Sequence, residues 1–157
     1  MRTSAGLLLH RVGDEGRQVL LVHPGGPFWA RKDDGAWSIP KGEHGPDEDP
    51  RAAALREFAE EFGRPASDGP ELDLGSVRQS SAKTVRCFAR EADLDPAGLR
   101  SNTVEIEWPP RSGRRMTVPE VDRAEWFTLA SAQVKIVRGQ LPLLDRLVVA
   151  LADAGRS

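Results

Sequence analysis

The chain has 157 residues, enough to enclose one core and too few for two ordinary domains, so a single domain over residues 1–157 is expected. A formal charge of −2 with 29% charged residues gives no global reason to bind a nucleic-acid polymer or a membrane surface. The lone cysteine, Cys87, excludes an internal disulfide, and no run approaches the ~20 apolar residues of a membrane span, so a cytoplasmic protein is expected.

In chain order, Ala5–Val12 and Gln18–His23 are strand-length apolar runs joined by Gly13-Asp14-Glu15-Gly16, the composition of a hairpin connection. Pro24 to Gly35 is a loop by composition, yet it carries Phe28 and Trp29 beside Arg31 and Lys32. Flat rings next to cations suit a nucleobase and a phosphate, and they equally suit a cover over the sheet. Ala36–Pro40 reads as a short strand leading to Lys41, which is either a phosphate contact or a solvated lysine.

Next comes Gly42 to Arg64, where three carboxylates fall within five residues. Asp49 is a suitable N-cap, Pro50 suits the first helical position, and Gly63 followed by Pro65 ends the helix. Helical spacing sets Glu57, Glu60 and Glu61 on one side, with Leu55, Phe58, Ala59 and Phe62 on the other. Like charges at i, i+3 and i, i+4 destabilise a helix by a few tenths of a kcal/mol each, so the face calls for a cation. A hard divalent ion with oxygen ligands answers that, as against a plain solvated acidic face. Gly42 to Pro46 can bend back beside this face.

Beyond the helix, Glu71–Val77, Lys83–Arg90 and Asn102–Trp108 show period-2 character, and Cys87 lies within the second as a small buried hydrophobe. In the third, Val104, Ile106 and Trp108 face one way and Thr103, Glu105 and Glu107 the other, offering the acidic helix a carboxylate or giving an exposed sheet face. Pro109 to Val118 is predicted to be a loop whose Arg111, Arg114 and Arg115 suit polyphosphate oxygens or form a solvated rim. Glu120–Phe127 is a final strand. Leu129–Val137 and Pro142–Ala154 are helices split by Gly139, and the stripe Leu143, Leu144, Leu147, Val148 and Leu151 is core or the face of a homodimer.

The segment from Gly42 resembles the Nudix box, which reads Gly, five residues, Glu, seven residues, Arg-Glu-aliphatic-any-Glu-Glu-any-Gly-aliphatic. Gly42, Glu48, Arg56, Glu57, Glu60, Glu61 and Gly63 fill every fixed position. At roughly 7% usage per residue type, seven such matches have a chance probability of ~10⁻⁸ per starting point. Phe58 and Arg64 stand where aliphatics are usual, and Arg64 puts the packing after Gly63 in question. The Pro40-Lys41-Gly42 entry is also common in this family.

The resemblance implies a Nudix α/β/α sandwich with a mixed sheet, and hydrolysis of a diphosphate linkage in a nucleoside diphosphate derivative with Mg2+, or Mn2+ in its place. It implies Glu57, Glu60 and Glu61 as metal ligands, completed by a backbone carbonyl near Gly42, with Arg56 orienting a glutamate and Glu48 as its partner. The proton of the attacking water goes to a box glutamate or to a later carboxylate; Glu105, Glu107 and Glu120 are candidates and Glu120 is preferred. Lys41, Phe28, Trp29, Arg111, Arg114 and Arg115 are the substrate-binding candidates. The tyrosine of many dinucleoside-polyphosphate hydrolases has no counterpart, since the chain has no tyrosine, and Gln79 stands where ADP-ribose hydrolases often carry proline. A nucleoside triphosphate or dinucleoside polyphosphate is the expected substrate, with ADP-ribose or a nucleotide sugar as the alternative. A non-catalytic nucleotide-binding regulator is the alternative of another class, although no box carboxylate is missing.

Overall fold

The first strand, β1 (Arg2–Gly13), is apolar on both faces, and this sets the layering of the chain. In the computed structural model, which describes residues 1–155, Ala5, Leu7 and Leu9 belong to one buried cluster and Leu8 to another. Successive side chains of a strand point to opposite faces, so the two clusters lie on opposite sides of the sheet. β2 (Gly16–Pro24) divides the same way, with Leu20 and Val22 in the first cluster and Val19 and Leu21 in the second. Strands with two apolar faces require cover on both sides. Helix α1 (Pro50–Phe62) covers the first side through Ala53, Ala54, Phe58 and Phe62. Helices α2 (Leu129–Lys135) and α3 (Leu141–Asp153) cover the second through Ala132, Leu143, Leu144, Leu147 and Leu151.

The main sheet runs β4 (Glu71–Ser80), β5 (Lys83–Glu91), β1, β2, β8 (Val121–Thr128), with β3 (Lys41–Glu43) also paired to β1. β1 and β5 are parallel and the other pairs antiparallel, which makes the sheet mixed. β6 (Thr103–Glu107) and β7 (Arg115–Pro119) form a separate two-stranded hairpin. This is the α/β/α sandwich expected from the sequence. No helix among the described residues is long and apolar enough to cross a membrane.

Three local expectations are corrected. Ala36–Pro40 is no strand: Trp37 and Ser38 make only isolated bridges, and the pairing edge of β1 at Ser4–Gly6 is taken by Lys41–Glu43 instead. The second half of the Pro109–Val118 loop is strand β7, whose Val118 and Met116 stand opposite Val104 and Ile106. Of the C-terminal stripe, Leu143, Leu144, Leu147 and Leu151 are core, whereas Val148 is exposed. Gly139 separates α2 from α3 for a packing reason, because a β-carbon there would sit 2.0 Å from the backbone oxygen of Gln79 on β4. Gly139→Ala is therefore expected to cost about 1 to 3 kcal/mol in chemical denaturation, the usual range for overpacking. Gly45→Ala, where a β-carbon meets nothing within 4 Å, should leave stability unchanged or slightly higher and is the control.

Candidate active site

Helix α1 begins and ends as its sequence dictates. The Asp49 side chain accepts from the Ala52 amide at 3.0 Å, Pro50 occupies the first turn, and Gly63 closes the helix at φ 69°. Its rotation about its own axis is fixed by Phe58 and Phe62, whose rings stack 4.5 Å apart in the core. That rotation carries Glu61 inward. Glu61 is only 6% exposed, Glu57 is half-buried and Glu60 is exposed, so the expected single acidic face is in fact graded from core to solvent. Leu55 and Ala59, expected in the core, are only partly buried.

The burial makes Glu61 the most perturbed carboxylate of the site. Its Oε2 has no hydrogen-bond partner among the described residues, and its pKa is pushed up to about 8, first by burial and then by the charges of Glu57 and Glu120. Lys41 opposes this as the nearby cation, and burial in turn draws the Lys41 ammonium down. Glu57 is also raised, chiefly by burial, with Arg56 pulling it back and Glu60 and Glu120 adding repulsion. Arg56 holds the other end of the cluster. Its Nε and Nη2 donate to the two oxygens of Glu48 at 2.9 and 3.0 Å, and Nη1 donates to Glu57 at 2.8 Å and Glu60 at 3.3 Å. This fork keeps the Glu48 carboxyl below its ordinary range and pairs the residues that the motif suggested.

Gly42 sits in β3 directly against the helix. A β-carbon there would lie 2.0 Å from Cδ of Glu57, so only glycine lets the carboxylate lie on the strand backbone. The donor set fits a hard divalent ion: oxygen ligands only, an excess of negative charge, and one buried oxygen with nothing to bond. The carboxylates do not form a closed cage, since no cluster of three or more His, Cys, Asp or Glu among the described residues meets the geometry of a ready cation site. Magnesium sites of this kind take part of their shell from water and substrate phosphate.

Beside the cluster runs a groove of about 450 Å³ between the loop after β2 and the apolar face of the β6–β7 hairpin. Phe28 and Trp29 line one side, Ile106, Trp108 and Val118 another, and Glu120 is part of its lining. Trp29 also packs on the core, whereas Phe28 is 51% exposed with the Lys32 ammonium 4.0 Å from its ring centroid, so the two rings divide the alternatives read from the sequence. Glu120 is the later carboxylate that the structure brings to the helix, since its charge acts on both Glu57 and Glu61. Glu107 also lines the groove, but its carboxylate accepts from the amides of Arg111 and Gly113 and so closes the hairpin, and Glu105 is 3.6 Å from Arg115. Arg111, Arg114 and Arg115 are exposed on that hairpin and do not line the groove. Trp108 and the Gly25-Gly26 pair were not singled out from sequence. The signal was present in the double glycine, because a β-carbon on Gly25 would lie 2.1 Å from the Pro119 oxygen, and the close approach brings the two walls together.

The NUDIX domain model matches residues 2–147. This chain belongs to the Nudix family. Members of that family generally use divalent metals. Its fold is similar to that of a Caenorhabditis elegans Ap4A hydrolase in a binary complex, with 20% identity, a TM-score of 0.62, and coverage of 98% of this chain and 99% of that one. It is similar to the NUDIX domain of Shewanella oneidensis NrtR complexed with ADP ribose, at 18% identity, TM-score 0.61 and coverage of 94% and 86%. A mutT/nudix family protein from Listeria innocua shares 18% identity at TM-score 0.62, over 98% of this chain and 96% of that one. No curated protein matches the chain. The departure from the Nudix box at Arg64 is accommodated by a polar contact, in which its guanidinium donates to the Asp95 carbonyl at 3.2 Å and lies against Gly98.

Glu61 makes the metal-free Nudix domain pH-sensitive. A carboxyl whose pKa rises from 4.5 to about 8 on folding binds its proton more tightly in the folded state, so stability falls as pH rises between those values. Metal-free protein should lose a few kcal/mol between about pH 5 and 8 that Glu61→Gln does not lose, as read by denaturant titration at each pH. Equal pH slopes for the two proteins would show that Glu61 is ionised in the fold without cost.

Proposed function

We propose that this enzyme hydrolyses a diphosphate linkage of a nucleoside triphosphate or dinucleoside polyphosphate with magnesium, or manganese in its place. One observation carries the reading: Glu120 belongs both to the apolar groove and to the electrostatic field of Glu57 and Glu61. A substrate with a flat group in the groove therefore extends its phosphates along Glu120 to helix α1.

A divalent cation bound there would neutralise phosphoryl oxygens and lower the pKa of an attacking water. Glu57, Glu60 and Glu61, with the backbone near Gly42, would hold it. Arg56 keeps Glu57 and Glu60 in place through the hydrogen bonds to their Oε1 atoms. Glu120, across the end of the groove, takes the proton of the water. Lys41 meets a phosphate oxygen from the strand side, and Phe28 and Trp29 hold the base. Arg111, Arg114 and Arg115 would reach only a long phosphate tail that leaves the groove. The presence of every box carboxylate favours an enzyme over a nucleotide-binding regulator.

Assay of ATP, GTP, diadenosine tetraphosphate and ADP-ribose with magnesium, reading released phosphate and pyrophosphate, tests the substrate class. Turnover of the triphosphates or the tetraphosphate should exceed that of ADP-ribose, and the reverse order would assign the alternative. Glu57→Gln should lower turnover at least ~10²-fold, the lower end for losing a positioned acid-base group. Trp29→Ala should weaken nucleotide binding by ~1 to 3 kcal/mol. Because Trp29 also packs on the core, the same variant should melt lower. Unchanged affinity with a lower melting temperature would leave Trp29 as core alone.

A further inference from the structure

His23 lies at the end of β2, fully buried, with its ring edge-on to Trp37 at 5.1 Å between centroids. Both ring nitrogens face oxygens. Nδ1 is 2.8 Å from Oδ1 of Asp122, and Nε2 is 2.6 Å from the backbone oxygen of Lys32. A carboxylate and a peptide carbonyl are both acceptors, and a neutral imidazole has one N–H to give. Only the imidazolium satisfies both contacts.

Lys32 belongs to the loop that carries Phe28 and Trp29. Its amide donates to the Trp29 carbonyl at 2.9 Å, and its ammonium lies 4.0 Å from the Phe28 ring centroid and 5.6 Å from that of Trp29. Pinning the Lys32 carbonyl therefore pins one wall of the groove. The geometry points to His23 as a positioning residue, an imidazolium clamp between Asp122 and the Lys32 carbonyl that makes the groove's grip on a flat ligand depend on protonation. The consequence for substrate rests on the reading that the groove takes a nucleobase; the clamp itself does not.

The charged groups around the ring set the direction of the effect. Asp122 on β8 faces Nδ1, and Arg123, paired in register with His23, has Nε 3.7 Å from the same Asp122 oxygen and its guanidinium 5.2 Å from the Trp37 ring. Across the loop, Asp33 accepts from Trp37 Nε1 at 2.8 Å and from Lys135 of α2 at 2.6 Å, so its charge is already matched. When the imidazolium loses a proton, the carboxylate retains the remaining N–H, since charge-assisted hydrogen bonds are roughly twice as strong as neutral ones. The lone pair of Nε2 then faces the Lys32 oxygen and the wall is released. The clamp is closed at low pH and opens as pH rises.

Asp122→Asn separates this from a merely structural role. Its amide can donate to Nδ1 of a neutral ring, which leaves Nε2–H for the Lys32 carbonyl at every pH. The test uses 15N-labelled full-length protein without metal, with two-bond 1H–15N correlations of the imidazole and amide-exchange protection of Trp29 and Lys32, corrected for intrinsic rates, from about pH 5.5 to 8.5. Wild type should carry protons on both nitrogens at the acidic end, with protection falling at least about 3-fold as one is lost; Asp122→Asn should carry one proton, on Nε2, with flat protection. Adenosine, which has no phosphate to respond to Glu61, should bind wild type less tightly as pH rises and the variant equally throughout. A single protonated nitrogen in wild type across the range, or the same pH slope of protection in the variant, overturns the clamp. If the ring and amides behave as expected and adenosine binds at no pH, the clamp stands and the nucleobase reading of the groove falls.

Discussion

The site depends on one unfavourable placement, a glutamate side chain held in the core with an oxygen that meets no hydrogen-bond partner among the described residues. Glu61 does not choose that position. Phe58 and Phe62, one turn apart, drive their rings into the cluster formed by Ala5, Leu7 and Leu9, and each buried phenylalanine contributes about 1.5 to 3 kcal/mol. Glu61, between them in sequence, is carried along and left beside the charges of Glu57 and Glu120. The aromatic pair offsets a repulsion that a cation would relieve, so the fold stores at this helix a standing preference for positive charge.

A second dependence runs through β1. This strand supports α1 from below and pairs with β3 at its edge, and the two together fix Gly42 against the Glu57 carboxylate. The strand-to-helix distance is thus set by backbone pairing and core packing rather than by the acidic residues themselves. Arg56 adds the remaining constraint from outside by tying Glu48, Glu57 and Glu60 into one hydrogen-bonded unit. Rigid elements supply the position and the carboxylates supply the charge.

The box was legible in sequence because its content is local: residue types at fixed spacing on a helix whose cap, first turn and stop are each written within the segment. The sandwich was legible only through the resemblance that the box carries, and the cover on two sides that Leu7, Leu8 and Leu9 demand is its physical reason in the structure. Failures fell where the outcome depends on a distant partner. Ala36–Pro40 has strand composition, but the hydrogen bonds it would need on β1 go to Lys41–Glu43. β7 is hidden behind two prolines, a glycine and three arginines, and it exists because Val118 and Met116 find Val104 and Ile106 across the hairpin. Glu120 and Glu107 look alike as exposed acidic residues. Only the register of the hairpin makes one a neighbour of the helix and the other a brace for its own turn.

The groove and the helix divide recognition between unlike forces. Among the described residues no lysine or arginine lines the groove, and apart from the carboxylates of Glu107 and Glu120 what it offers a ligand is contact area and ring faces from Phe28, Trp29, Trp108, Val118 and Ile106. Those forces are short-ranged and little affected by salt, and they suit an uncharged flat group. The helix offers the reverse, a concentration of negative charge that repels phosphate unless a cation intervenes. A nucleotide bound without metal would be drawn in at one end and pushed away at the other. The same carboxylates that perturb one another in the metal-free protein thereby make productive binding conditional on the metal, and a net charge of only −2 conceals how unevenly that charge is placed.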